Sequence, residues 1–388
     1  MRSFEPTMTS QIDIFLRQIL SSAKTSEPTN MTEKSRYLSL DIAGHLAFGT
    51  ELNTQTDTSH RFLLAGMQFG NYRGSIYMHY PLLRKLYLKK IFDWVLYDKR
   101  ERYFRLLESM ITTRASLGKD GKTGDFYSYV ADEMGVDPSG KNSPRGSPLW
   151  AEAWFFLTAG GDTVATAIAG CLFYLSRNPP CYRRLADEIR SAFSTAAEIK
   201  GGPQLAGCVY LRSCIDEALR MSPPTSTTLW RVQDPDHRRN EALVIDGHVI
   251  PPGTTFGVNP YALHHNEEYF PEPFVYRPER WLDEPGNREA RRRALEAFVA
   301  FSVGSRACAG KAMAYLEVSL VLARTLWFFD FEGAKGRLGQ VGGGTAGATD
   351  GRDHVDEFQI RDIFTSQHDG PYVVFKRRGE LWKELESH

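Results

Sequence analysis

Cys308 stands in the run Phe301-Ser-Val-Gly-Ser-Arg-Ala-Cys-Ala-Gly310, directly before a long apolar segment from Lys311 to about Phe328. Glycines at 304 and 310 let the backbone turn sharply and let a flat partner approach the sulfur. The spacing predicts a helix after Gly310 whose free N–H groups and dipole favour a thiolate over a thiol. Arg306 adds a guanidinium suited to a carboxylate. A thiolate on a glycine-opened loop has the chemistry of an axial ligand to a haem iron, with Arg306 beside a propionate. A lone cysteine is more often a small buried hydrophobe, so this reading depends on what the rest of the chain supplies.

Three other segments carry chemistry. Ala159-Gly-Gly-Asp-Thr163 falls midway along a helix predicted from about Leu149 to Ser176 and stopped by Asn178-Pro-Pro180. Each glycine there costs about 1 kcal/mol relative to alanine. With the threonine hydroxyl the pair can open the helix ladder and leave a groove. The plainer alternative is a close helix crossing with Asp162 solvated. Glu217-Ala-Leu-Arg220 places a carboxylate and a guanidinium on one helix face; exposed, such a pair contributes only about 0.3–0.5 kcal/mol. Arg231 follows Thr225-Ser-Thr-Thr-Leu-Trp230 at a strand entry, where a surface arginine is the simplest reading. His264 and His265 lie in a structural helix turn, because Asn266-Glu-Glu completes no ligand set.

The pattern Phe-x-x-Gly-x-Arg-x-Cys-x-Gly resembles the haem-ligand signature of the cytochrome P-450 family, the haem-thiolate monooxygenases, in its microsomal, fungal-type branch. The other motifs occur in that family's order, and the resemblance covers almost the whole chain. It implies that Cys308 ligates the iron of haem b. Phe301, Gly304, Arg306 and Gly310 would shape the cofactor loop, and Arg231 would pair with a propionate. Asp162 and Thr163 would be the acid–alcohol pair that relays protons beside O2. Glu217 and Arg220, joined by Arg280 from Phe274-Val-Tyr-Arg-Pro-Glu-Arg-Trp281, would form a structural triad holding the Cys308 loop. Three segments, Trp154 to Ala159, Thr225 to Leu229 and Thr365-Ser366, would line a pocket for a lipophilic small molecule, with Phe155, Ala159, Thr225, Thr228, Leu229 and Ser366 as its residues.

The implied reaction inserts one atom of O2 into that molecule, in secondary metabolism. Electrons would come from NADPH through a flavin-containing reductase docked on Arg291-Arg-Arg293, Arg306 and Lys311. Two alternatives stand beside it. One is a haem-thiolate isomerase or dehydratase that needs no reductase, against which Asp162-Thr163 counts. The other is an inactive fragment acting as a binding protein. The family's membrane anchor, first sheet and early helices, with a tryptophan and arginine on a propionate, are expected to be missing from this chain. Haem retention would then rest on Cys308, Arg231, Arg306 and apolar packing and is expected to be weak, and exposed apolar core is expected to make the chain poorly soluble. By resemblance the location is the cytoplasmic face of the endoplasmic reticulum; without an anchor, the chain itself would be cytoplasmic and monomeric.

The elements that must position these residues are mainly helical. The 388 residues, 42% hydrophobic and 24% charged, suit one large globular domain. Lys+Arg and Asp+Glu both number 47, a balance that gives no footprint for nucleic acid. Five scattered cysteines argue against a disulfide framework. No run long enough for a transmembrane helix is expected, nor a signal peptide. The expected fold class is mainly α with small β-sheets (α+β), in a single, N-terminally incomplete domain over 1–388. Residues 1–221 form its helical part, including the long helix over 149–176. Residues 222–388 hold strand hairpins, the cysteine loop and its following helix. Asp41 to Gly49 ends a helix. Residues 79–118 are amphipathic helix, and Asp137 to Pro148 a loop. Leu243 to Ile250 is a hairpin about Asp246-Gly247. Gly333 to Asp353 is a mobile surface loop, and Gly370 to Phe375 a closing strand.

Overall fold

The computed structural model describes residues 3–85, 97–116, 125–126, 148–233 and 243–386. The loop expected at 137–148 falls almost wholly outside them. Nine helices of ten residues or more are present among the described residues: α1 (Glu5–Thr25), α2 (Met31–Phe48), α3 (Phe62–His79), α4 (Tyr97–Ser116), α5 (Pro148–Arg177), α6 (Pro179–Ala192), α7 (Val209–Met221), α8 (Arg288–Ala297) and α9 (Lys311–Phe328). Local signals explain their limits. Asn30 caps α2 by accepting the Thr32 N–H at 3.0 Å, and Gly49, at φ 63°, ends it in the left-handed region. Pro179 and Pro180 open α6 and stop α5.

Helix α5 is the axis of the molecule. It packs most extensively along α2 and also against α4, α7 and α9. Its segment Trp150–Arg177 is long and apolar enough to cross a membrane, which the sequence reading did not anticipate, but it is mostly buried in the protein interior. On α1, Met8, Ile12, Phe15, Ile19 and Ala23 recur at helical spacing and are buried in the same core. Burying each large side chain of that kind stabilises the fold by about 1.5–3 kcal/mol.

The strands are short and antiparallel. β1 (Thr29–Asn30), β9 (Tyr372–Arg377) and β6 (Phe329–Gly333) form one sheet with β9 central, and Phe331 opposes Phe375 in its core register. Three two-stranded pairs complete the set: β2 (Arg231–Val232) with β5 (Thr255–Phe256), β3 (Leu243–Ile245) with β4 (His248–Ile250), and β7 (Arg361–Ile363) with β8 (Thr365–Gln367). The β3–β4 turn has Asp246 at φ 49° and Gly247 at φ 76°, the positive pair that a tight Asp-Gly hairpin requires. Around these pairs Val232, Val244, Val249 and Val258 are exposed. The segment expected as a loop over Gly333 to Asp353 is folded: it carries a helical turn at Gly336–Gln340 and backbone hydrogen bonds from Gly344 to His354 and from Thr345 to Arg352. Its glycines serve close approach, since a Cβ on Gly344 would meet the His354 carbonyl oxygen at 2.4 Å.

Candidate functional site

The cysteine loop is fixed from both ends. The Cys308 N–H donates to the Phe301 carbonyl at 2.8 Å, closing the loop on itself. The Phe301 ring lies 4.9 Å from that of Tyr315 on α9, and Tyr315 donates to Asp216 on α7. Gly304 sits at φ 70°, a conformation other residues rarely adopt. Gly310 has an ordinary φ of −83° as the residue before α9, so conformational freedom is not its use there. A Cβ at 310 would stand 3.8 Å from the Cys308 sulfur; glycine leaves that flank open. Val303, Arg306 and Cys308 are exposed, and α9 begins at Lys311.

A buried ionic cluster braces the entry to this loop. Glu217 accepts from Arg220 Nε and Nη2, both at 3.0 Å, and from Arg280 Nε at 2.9 Å. It also accepts from the Arg277 N–H and the Trp281 indole. Glu217 and Arg220 are fully buried and Arg280 nearly so. Burial alone would push the Glu217 carboxyl up; the Arg220 and Arg280 guanidinium groups more than reverse this and hold it below the usual carboxylate range. His264 joins the cluster to the loop. Arg220 donates to the His264 carbonyl at 2.9 Å. The His264 ring accepts the Val299 N–H at 3.0 Å through Nε2, which leaves Nδ1 as the donor to the Arg220 carbonyl at 3.1 Å. Burial first, then Arg220, press its pKa down to about 3, so the ring is neutral. The sequence placed His264 in a structural turn but gave no sign that it reaches Val299, at the entry to Phe301.

The midsection of α5 corrects one expectation. The helix runs unbroken through Gly160 and Gly161, so the ladder is not opened there. A Cβ on Gly160 would lie 3.3 Å from Ala43 of α2, and one on Gly161 would lie 3.3 Å from Met67 of α3; the glycines let three helices close up. Thr163 donates its hydroxyl to the Ala159 carbonyl at 2.5 Å. Asp162 is buried, not solvated: its Oδ2 accepts from Asn71 at 3.1 Å and from Thr365 at 2.8 Å, and Arg36 Nε lies 3.9 Å from Oδ1. Burial raises its pKa, while Arg36, Thr365 and Asn71 pull it back.

The remaining candidates are more scattered. Arg231 is exposed, and its guanidinium donates to the Leu229 and Trp230 carbonyls, each at 3.1 Å. Phe155 is 53% exposed on α5; Ala159, Thr225, Thr228 and Leu229 are half-buried. Ser366 is buried with its hydroxyl donated to the Pro223 carbonyl at 2.8 Å, so it serves the fold there. A cleft of about 650 Å³ between α1, Ala196–Lys200 and Arg324 includes none of these residues. In the expected basic patch, Arg292 is paired with Glu289 and Glu296, and Arg291 donates to the Trp281 carbonyl; Arg293, Arg306 and Lys311 are exposed.

The donor set suits a haem. Among the described residues no three His, Cys, Asp or Glu side chains converge on a metal position, whereas an iron that arrives in a macrocycle asks the chain for one strong donor. Cys308 is a thiol on an open flank that could supply it, and Arg231 and Arg306 are exposed cations that could meet carboxylates.

A sequence model described as cytochrome P450, written here cytochrome P-450, matches residues 1–338. The chain is 37% identical over 362 residues to cytochrome P-450 monooxygenase apf7 of Gibberella fujikuroi, with 91% of this chain and 66% of that protein covered. It is 36% identical to the monooxygenase AKT7 of Alternaria alternata, covering 67% of it, and 36% identical to apf8 of Gibberella fujikuroi, covering 92%. The chain thus spans about two-thirds of the length of the first two. A solved cytochrome P-450 crystal structure superposes with a TM-score of 0.70 at 19% identity, over 97% of this chain and 75% of that one. That likeness speaks for the fold.

Proposed function

The chain belongs to the cytochrome P-450 family, and on that footing we propose that it is a haem-thiolate monooxygenase acting on a lipophilic small molecule in fungal-type secondary metabolism. The observation that carries this reading is the cysteine loop: one thiol on an open flank, closed by the Cys308–Phe301 hydrogen bond and braced through His264 to the Glu217 cluster.

Haem, when bound, supplies the iron that takes up O2 and electrons. The protein's part is to hold it and to manage protons. Cys308 Sγ would ligate the iron, and Arg306 and Arg231 would pair with the propionates. Asp162 and Thr163 are the proton-handling pair, one oxygen atom entering the substrate and the other leaving as water. Glu217, Arg220 and Arg280 are structural. Ala159, Thr225, Thr228, Leu229 and Phe155 border the substrate. Ser366 does so only through the backbone it anchors. Electrons come from NADPH through a flavin-containing reductase. Arg293, Arg306 and Lys311 form the docking charge on this side, because Arg292 is neutralised by its two glutamates. The chain works as a monomer at the cytoplasmic face of the endoplasmic reticulum, as its family membership suggests.

The test is haem content and reductase-dependent O2 consumption of the purified chain. The proposal expects haem to copurify with the chain or to load on addition, to be lost or greatly weakened in Cys308→Ser, and O2 uptake to stop without NADPH. Normal haem content in Cys308→Ser would overturn it.

A further inference from the structure

Asp162 is held by two residues that the sequence does not connect with it. Asn71, on α3, and Thr365, at the start of β8, both reach its Oδ2, at 3.1 and 2.8 Å. Asn71 Nδ2 also donates to the Thr365 hydroxyl at 2.6 Å. The three side chains therefore close a triangle in which Asn71 and Thr365 each donate to the same carboxylate oxygen and Asn71 also donates to the Thr365 hydroxyl. All three are at least nine-tenths buried. We propose that Asn71 and Thr365 are positioning residues for Asp162, committing Oδ2 as an acceptor and leaving Oδ1 as the oxygen that takes up and releases the proton. This rests on the monooxygenase reading, in which Asp162 hands a proton on.

The surroundings support the assignment. With two donors on Oδ2, a proton on that oxygen would break one of them, whereas Oδ1 accepts no hydrogen bond from a described side chain. Oδ1 faces Arg36 of α2 at 3.9 Å, and Arg36 Nε is buried without a hydrogen-bond partner. That distance is too long for a hydrogen bond and short enough for strong attraction. Arg36 therefore favours the ionised carboxylate while leaving Oδ1 free to exchange a proton. His368, a titratable group packed nearby, meets the Thr166 hydroxyl at 3.1 Å and lies within the field of Arg36. Thr166 itself donates to the Asp162 carbonyl. Burial first, then Arg36, hold His368 far below its ordinary pKa, so it adds no charge.

The experiment is an infrared pH titration of the protonated-carboxyl band of Asp162 in the purified chain, with Asp162→Asn identifying the band. Asn71→Leu and Thr365→Val each remove a donor to the ionised form, so each should shift the midpoint upward. Thr365→Ser keeps the hydroxyl and should restore the wild-type midpoint. Unchanged midpoints in both Asn71→Leu and Thr365→Val overturn the proposal. If Asn71→Leu fails to fold, the Thr365→Val and Thr365→Ser pair decides alone. In the haem-loaded protein the same two variants should lower the share of electrons ending in product while KM stays constant; a rise in KM at unchanged electron yield would count against it. If the chain takes up no haem, the monooxygenase reading fails, and the infrared titration still decides the clamp.

Discussion

Glu317 offers a quantitative test of the packing behind the cysteine loop. It lies on α9, is fully enclosed against α2, and has the Ser39 hydroxyl at 3.3 Å as its hydrogen-bond partner. Burial raises its pKa from 4.5 to about 8, so the folded protein keeps this carboxyl neutral at pH 7 while the unfolded chain ionises it. Between pH 4.5 and 8 the folded state binds the extra proton, and stability falls as pH rises. The slope is about 1.36 kcal/mol per pH unit, which from pH 4.5 to pH 7 sums to about 3 kcal/mol. Glu317→Gln is neutral in both states and lacks this term. It carries instead a constant cost of about 1–3 kcal/mol for an amide donor without a partner. Urea unfolding of both proteins at half-unit steps from pH 4 to 7.5 is the assay. The variant should be the less stable at pH 4.5 and should gain on the wild type by about 3 kcal/mol by pH 7. A stability difference that stays constant across this range would refute the reasoning.

Other outcomes follow from the same contacts. Glu217→Gln leaves two buried guanidinium groups uncompensated and should cost about 3–5 kcal/mol in chemical unfolding. Because the wild-type carboxyl is held low, its contribution is present above the unfolded-state value near 4.5 and is lost as pH falls through the folded value; acid-unfolding curves of wild type and variant should converge at low pH. His264→Ala unpairs the Val299 N–H and the Arg220 carbonyl, so it should cost about 2 kcal/mol and speed hydrogen exchange at the Cys308 N–H more than at α2 amides. Arg293→Glu should slow reduction by the flavoprotein at low salt with haem content unchanged; equal reduction rates would remove it from the docking surface.

What the sequence reveals of the site is what lies close together in it. The cysteine loop, the long helix and its proline stop, and the Glu217–Arg220 pair are each contained in a few residues, so residue type and spacing carry them. Arg280 joins the pair from a distant segment and was reachable only through the family resemblance. The clamp on Asp162 was not legible, because Asn71 stands in no motif and Thr365, read only as part of a pocket-lining segment, comes from far along the chain. The glycine pair was legible as a cost with two candidate uses, and the close helix crossing is the one found: whether glycines open a helix or seat a neighbour depends on Ala43 and Met67 across the crossing. Glycine richness over Gly333 to Asp353 suggested a mobile loop, whereas Gly343 and Gly344 let two stretches of backbone come into contact. Ser366 reads as a pocket hydroxyl by type, yet its hydrogen bond to Pro223 turns it toward the backbone.

The central claim is that Cys308 binds haem iron as a thiolate. The carbon-monoxide difference spectrum of the reduced, purified chain tests it most directly, beside a Cys308→Ser control. The account predicts a red-shifted Soret band of thiolate ligation that the substitution abolishes. No band, or an unshifted one that is the same in both proteins, would contradict it.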